Sequence, residues 1–140
     1  QILIDCPPSL SLLTIMALVA SNTVIIPLQT EFFALEGVSQ LIKTIERVKK
    51  NLNTSLNIQG VILTMYDKRN KLCSQVESEA RRYFENKVYK SVIPRNVRIS
   101  EAPSHGLPVI EYDKNCAGTL AYQELAKEVL EQYKQDPVAA

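Results

Sequence analysis

The apolar residues of this chain fall into short continuous runs, separated by longer stretches in which apolar and polar positions recur periodically. Four runs are dominated by apolar residues, and they lie at residues 2–4, 23–27, 58–64 and 88–94. An extended segment with apolar side chains on both faces suits a strand that is covered above and below in a parallel sheet. The pattern therefore predicts four buried strands, with the first of them central and with Pro27 ending the second.

The stretches between these runs carry apolar residues at a helical spacing. They predict helices over residues 9–20, 35–52, 72–84 and 119–133. The first of these is apolar almost all round, as in a buried helix, and Ser9 is its predicted cap. Residues 99–108 and 112–118 are predicted loops. Because strands alternate with helices, we expect an α/β fold, a mostly parallel doubly wound sheet with helices on both faces.

Composition narrows the class of protein without identifying it. Sixteen basic and 15 acidic side chains among 140 residues give a net charge of +1, so binding of nucleic acid needs a local patch. The three cysteines are far apart, which disfavours a disulfide framework and a zinc site and favours a reducing cytoplasm. The apolar run at 10–20 is too short to span a bilayer.

The domain organisation is also predicted from the pattern. We expect one domain over residues 1–134 and a flexible tail over 135–140. The chain starts within a predicted strand and lacks an initiator Met, so we expect it to be part of a longer protein.

Polar side chains follow the first two predicted strands at the point where each strand ends. Asp5 follows the first strand, and Gln29, Thr30 and Glu31 follow the second. The carboxyl ends of parallel strands line the ligand crevice of an open α/β sheet, where a carboxylate can hold hydrated Mg²⁺ beside phosphates. This is the pattern of a Walker B motif. An acid that closes a strand before a turn is also common, and Glu31 equally suits a helix N-terminus.

Longer motifs give a more specific signal than either acid alone. They read Asp5-Cys-Pro-Pro-Ser-Leu10, Ile26-Pro-Leu-Gln-Thr-Glu31, Leu63-Thr-Met-Tyr-Asp67 and Ile93-Pro-Arg-Asn-Val-Arg-Ile-Ser-Glu-Ala-Pro-Ser-His-Gly106. In this order, and across essentially the whole chain, they resemble the carboxyl-terminal half of the ParA/Soj chromosome- and plasmid-partitioning ATPases.

The resemblance implies a P-loop ATPase with a deviant Walker A motif that uses ATP and Mg²⁺. Such a protein forms an ATP-dependent dimer with itself, binds DNA without sequence specificity and is switched by a centromere-binding partner of the ParB kind. The resemblance further implies a cytoplasmic, nucleoid-associated protein that does not bind membranes.

The resemblance also assigns roles to individual residues. Asp5 matches the Walker B acid, which holds Mg²⁺ through water, and the switch segment that senses the γ-phosphate matches Cys6, Pro7 and Pro8. The residues in the positions that hold the adenine are Thr64, Met65, Pro94, Arg95 and Asn96. The positions used for contacts with DNA are matched by Arg69 and Arg98, with Lys68 and Lys71 as helpers.

Elementary electrostatics supports part of this assignment. Arg69 and Arg98 lie on two loops at neighbouring strand ends, where cations can converge, and phosphate contacts need charge rather than base readout. Without the resemblance, ordinary exposed loop cations would be the better interpretation. His105 has no Cys or Asp at ligand spacing, so a structural role is favoured over a catalytic one.

One departure from the family limits the expected activity. The family's P-loop with its lysine and its switch-I aspartate precede the Walker B strand, and the sequence contains neither, so this chain by itself is not expected to hydrolyse ATP. One alternative is a non-catalytic DNA- or partner-binding module derived from such an ATPase. Another is a MinD-like membrane-associated ATPase, although that subgroup ends in a basic amphipathic helix that residues 133–140 do not resemble.

Overall fold

The structure, a computed structural model, describes residues 2–7 and 9–135. Within these residues, three parallel strands form one sheet in the order β1-β2-β3. Strand β1 spans Thr23–Gln29, β2 spans Asn57–Tyr66 and β3 spans Val88–Pro94. Strand order follows chain order, and a long helix connects each strand to the next, as a parallel sheet requires.

Helices account for most of the remaining chain. In order, they are α1 at Leu12–Ala20, α2 at Ala34–Asn51, α3 at Lys71–Phe84, α4 at Val97–Glu101, α5 at Val109–Tyr112 and α6 at Ala117–Gln135. Short 3₁₀ turns lie at Glu85–Lys87 and Ala102–His105. The helices predicted over 35–52, 72–84 and 119–133 are confirmed, with small shifts at their ends.

The sheet is covered on both faces, which confirms the predicted α/β class. Ile26 and Leu63 belong to a buried cluster that includes residues of α1, α2 and α3. Tyr89 and Ile93 pack with Leu125 of α6 in a second cluster. Because successive side chains of a strand point to opposite faces, the continuous apolar runs supply both clusters.

The prediction of a first, central strand at residues 2–4 is wrong. Residues 2–7 have no strand conformation and join none of the three strands, and the Ile2 side chain is 92% exposed. The outer edge of β1 is unpaired in the described sheet, but residues 2–7 do not pair with it and their side chains are exposed. The described sheet therefore has three strands rather than four.

The helix predicted over 9–20 starts later than expected and is less buried than expected. It begins at Leu12 after Ser11, not at a Ser9 cap, and its buried residues are Thr14 and Leu18, whereas Leu13 is 67% exposed. The Asn53 side chain donates hydrogen bonds to backbone carbonyls at the carboxyl end of α1, including that of Leu18 at 3.1 Å. An apolar sequence shows that a helix can be buried, not which of its faces is covered.

Two shorter segments also differ from prediction. Pro27 does not end the second strand, because β1 continues to Gln29, and a proline is tolerated in a strand at the edge of the described sheet. The loop predicted over 99–108 is helical as far as His105, and the Asn96 side chain caps α4 by accepting a hydrogen bond from the N–H of Arg98 at 2.8 Å. Of the tail predicted over 135–140, Gln135 is instead the last residue of α6, and residues 136–140 lie outside the described residues.

Candidate functional site at the carboxyl edge of the sheet

The carboxyl ends of the three strands are joined by hydrogen bonds into one edge. Tyr66 pairs with Pro94, and the N–H of Arg95 donates to the carbonyl oxygen of Tyr66 at 3.0 Å. Beyond the end of β1, the N–H of Thr30 donates to the carbonyl oxygen of Thr64 at 3.1 Å. Residues from all three strand ends therefore lie together, at the edge where α/β sheets bind ligands.

A β-bulge shapes the end of β2. Leu63 pairs with Val92 and Tyr66 pairs with Pro94, so β2 contributes one residue more than β3 between these pairs. Met65 lies in this interval with a φ of 55°, in the left-handed region that is uncommon for a residue other than glycine. Bulges re-aim side chains, and such backbone conformations cluster at functional sites. The strand end predicted to hold adenine is thus irregular.

Thr30 braces the bulge from the neighbouring strand. Its side chain is 1% exposed, and its hydroxyl lies 3.2 Å from the carbonyl oxygens of both Thr64 and Met65. Its Oγ1 also lies 3.3 Å from the Sγ of the buried Cys73 on α3. Because a buried hydroxyl needs such partners, these contacts fix the backbone at the strand ends. Sequence reasoning placed Thr30 at this edge but missed its bracing role, since only the bulge reveals it.

The cations predicted for DNA contacts lie at the same edge. Lys68 and Arg69 are in the turn between β2 and α3, Lys71 is the first residue of α3, and Arg98 is in α4 after β3. All four are exposed. Arg95, predicted for adenine, is exposed beside them at the end of β3. The structure thus brings cations from two neighbouring strand ends to one edge.

Arg69 and Arg98, the two arginines predicted for DNA contacts, each form ion pairs with carboxylates. The Asp67 Oδ1 accepts hydrogen bonds from the backbone N–H of Arg69 at 2.9 Å and from its Nε at 3.1 Å, and Oδ2 accepts one from Nη2 at 3.0 Å. These hydrogen bonds lower the pKa of the Asp67 carboxyl and raise that of Arg69. Arg98 pairs with Glu101 at 2.9 Å and with Asp113 at 3.5 Å. Sequence reasoning missed all three carboxylates.

A cavity of about 440 Å³ lies at the carboxyl ends of β2 and β3. Its lining includes Lys68, Arg69, Arg95 and Asp67, together with apolar groups such as Val92. In the part of the chain that the structure describes, Lys68 and Arg95 form no ion pair. Three cations against one carboxylate, beside an apolar wall, suit a ligand that carries phosphate.

The residues predicted for Mg²⁺ and the switch segment lie outside the described sheet. Asp5, Cys6 and Pro7 are exposed in the segment before α1, and Pro8 is outside the described residues. Among the described residues, no group of three His, Cys, Asp or Glu side chains could hold a metal ion. Mg²⁺ bound with nucleotides often uses only one or two carboxylates plus phosphates and water, which a single aspartate fits. The Walker B role of Asp5 stays a prediction.

The fold and this edge define the class of protein, an α/β protein of P-loop NTPase-like architecture. The crystal structure of cobyrinic acid a,c-diamide synthase from Mycobacterium smegmatis matches with a TM-score of 0.73 and 33% identity, over 93% of this chain and 46% of that chain. Crystal structures of the same enzyme with bound ADP and magnesium, and with a bound ATP analog and magnesium, match with TM-scores of 0.73 and 0.72.

Sequence comparison defines the family. A family model described as an AAA domain matches residues 1–58. The chromosome partitioning protein ParA of Caulobacter vibrioides is 60% identical over 129 residues, which are 92% of this chain and 48% of that protein. The sporulation initiation inhibitor protein Soj of Bacillus subtilis is 61% identical over 128 residues, 91% of this chain and 51% of that protein.

A third relative, the chromosome-partitioning ATPase Soj of Treponema pallidum, is 54% identical over 92% of this chain and 51% of its own length. The resemblance to the ParA/Soj family that the motifs predicted is therefore confirmed. It spans about half the length of the curated relatives it matches. No helix in the described residues is long and apolar enough to cross a membrane.

Proposed function

We propose that this chain supplies the base-binding and DNA-contacting part of a ParA/Soj-type ATPase that acts in DNA segregation. The observation that carries the proposal is 60% identity to a chromosome partitioning protein over 92% of the chain. In this proposal the whole protein works in the cytoplasm on the nucleoid, dimerises when ATP is bound and is switched by a ParB-type partner.

The residues at the ends of β2 and β3 fit a nucleotide base. Thr64 and Met65 form the bulge of β2. On the neighbouring strand, Pro94 is the last residue of β3 and Arg95 comes immediately after it. The Oδ1 of Asn96 is occupied by the N–H of Arg98, which leaves the side-chain amide N–H groups of Asn96 as donors. The site therefore combines apolar groups, which can pack against the flat face of a base, with polar groups that can hydrogen-bond to its edge.

Asp5 would hold the water shell of Mg²⁺ in this proposal, and the bound ion would neutralise phosphate charge. Phosphoryl transfer also needs a backbone cradle and a lysine for the phosphates. The four glycines of the sequence, at positions 37, 60, 106 and 118, form no such loop. We therefore expect no ATP hydrolysis by this chain alone. Phosphate release from ATP that disappears in the Asp5→Ala variant would contradict this.

The cationic edge comprises the exposed residues Lys68, Arg69, Lys71, Arg95 and Arg98. Its proposed binding to duplex DNA is tested with the fluorescence anisotropy of a labelled duplex of random sequence. We expect binding that weakens steeply as salt rises, because phosphate contacts release counterions. Arg69→Ala and Arg98→Ala should each weaken binding and reduce the slope of log K against log salt by about 0.9.

Arg47→Ala is the matched control, because Arg47 is an exposed arginine of α2 and not part of the cationic edge. It should leave binding unchanged. Equal losses in all three variants would point to overall charge rather than to this edge. Wild-type binding that is unchanged in Arg69→Ala and Arg98→Ala would rule the edge out as the DNA contact.

A further inference from the structure

The geometry of the turn after β2 points to a role for a carboxylate that the proposed function does not use. We propose that Asp67 competes with DNA phosphate for the Arg69 guanidinium, and so limits the affinity of the cationic edge for DNA. The inference rests on the proposed DNA contact and adds a residue that tunes its strength.

The hydrogen bonds of Arg69 show how the competition arises. Asp67 occupies Nε and one N–H of Nη2, which is the side-on edge of the guanidinium. A phosphate can still approach the end-on edge formed by Nη1 and Nη2. It cannot form the paired side-on contact, one of the bidentate arrangements that make arginine a strong phosphate ligand, without displacing the carboxylate.

The turn keeps Asp67 in this position. Its Oδ1 also accepts the backbone N–H of Arg69 at 2.9 Å, so the carboxylate is held two residues from the arginine by the main chain. Asp67 lines the same cavity as Lys68, Arg69 and Arg95, and its charge therefore offsets one of three cations there. An approaching phosphate meets repulsion from this carboxylate as well as attraction from the cations.

Asp67 is a cleaner test position than the carboxylates beside Arg98. The Oε2 of Glu101 lies 3.3 Å from the hydroxyl of Tyr112, and the Oδ1 of Asp113 accepts the N–H of Asn115 at 3.1 Å. Changing either acid would leave the other paired with Arg98, whereas Asp67 is the one carboxylate paired with Arg69 among the described residues. Asn at position 67 keeps an oxygen that can accept the N–H of Arg69, and Asn suits such turns.

The experiment measures binding of the labelled random duplex by the 140-residue chain and by Asp67→Asn, from low to physiological salt. We expect Asp67→Asn to bind about threefold to tenfold tighter at low salt, because one repulsive charge is gone and the Arg69 guanidinium no longer has a charged partner. Glu46→Gln, on the exposed face of α2, changes the net charge equally and should not change affinity.

The double variant Asp67→Asn/Arg69→Ala separates competition for Arg69 from a general charge effect. Its gain over Arg69→Ala should be much smaller than the gain of Asp67→Asn over the wild type, because only the direct repulsion of phosphate is then removed. A gain of the same size without Arg69, or an equal gain in Glu46→Gln, overturns competition for this arginine. Weaker or unchanged binding by Asp67→Asn, with wild-type binding still dependent on Arg69, overturns this inference alone. No binding by any of the proteins at low salt overturns the proposed DNA contact as well.

Discussion

Gly60 in β2 lies beneath a side chain of the neighbouring strand. A Cβ at this position would overlap the ring of Tyr89, and Tyr89 is 1% exposed, so the ring has no free space to move into. A glycine inside an apolar strand is typical of such a close approach. The identity of the approaching residue was not predictable, because it depends on the register between β2 and β3.

Two glycine-to-alanine changes test this packing. Gly60→Ala should lower the free energy of unfolding by about 1–3 kcal/mol, because the added methyl group overpacks the core against Tyr89. Gly37→Ala is the control, since a Cβ on Gly37 in α2 would meet no atom within 4 Å. It should raise stability by about 0.5–1 kcal/mol through helix propensity. Urea unfolding measures both values, and equal stability of the two variants would contradict the close approach.

At the scale of elements, a carboxylate of α6 bonds to the backbone of β3 in addition to the apolar packing between them. The Glu128 Oε1 accepts the backbone N–H of Lys90 at 2.7 Å, and Oε2 accepts that of Ser91 at 3.0 Å. Both elements were predicted from their own periodicity, but the contact joins residues 38 positions apart and has no local signal. It also protects two strand N–H groups from pairing with another chain.

The charge of Glu128 makes this attachment sensitive to pH. Burial opposes ionisation, but the N–H donors of Lys90 and Ser91 outweigh it and lower the pKa of Glu128 below its ordinary value of 4.5. A carboxylate with a lowered folded-state pKa contributes stability above its ordinary pKa, and this contribution is lost as pH falls through the folded-state value.

Glu128→Gln should therefore reduce the free energy of unfolding by about 1 kcal/mol at neutral pH. The difference from wild type should shrink as the pH falls below the ordinary pKa of 4.5. Urea unfolding across this pH range measures it, with Glu131→Gln on the exposed face of the same helix as the control. A difference of constant size at every pH would show that the charge of Glu128 does not contribute.

For the whole molecule, the alternation of apolar runs and amphipathic stretches was enough to predict the fold class and the edge where polar residues meet. What it could not predict was which surfaces are covered. Residues 2–4 are as apolar as Ile25 and Ile26 but remain exposed, because burial depends on a neighbour and not on the segment itself. The pairing of Arg98 with Asp113 was hidden for the same reason, since it requires the turns between α4 and α6 to bring them together.

The uncovered apolar surface has a consequence for the chain in solution. Four large apolar residues of α1 are exposed, as are Ile2 and Leu3 before it, and exposed apolar surface drives association. Strand addition at β1 is disfavoured, since Pro27 has no N–H to offer a new strand. We therefore expect the 140-residue chain to self-associate through side chains of α1 as its concentration rises.

Light scattering across a range of concentrations tests this expectation. The double variant Leu13→Lys/Met16→Lys should shift the chain strongly towards monomer, because both side chains are exposed on α1 and lysine preserves helix propensity. Gln40→Lys/Gln75→Lys adds the same charge at exposed positions of α2 and α3 and should associate like the wild type. Equal dissociation in both double variants would mean that charge repulsion, not the apolar face of α1, controls association. A wild-type chain that stays monomeric at high concentration would contradict the expectation itself.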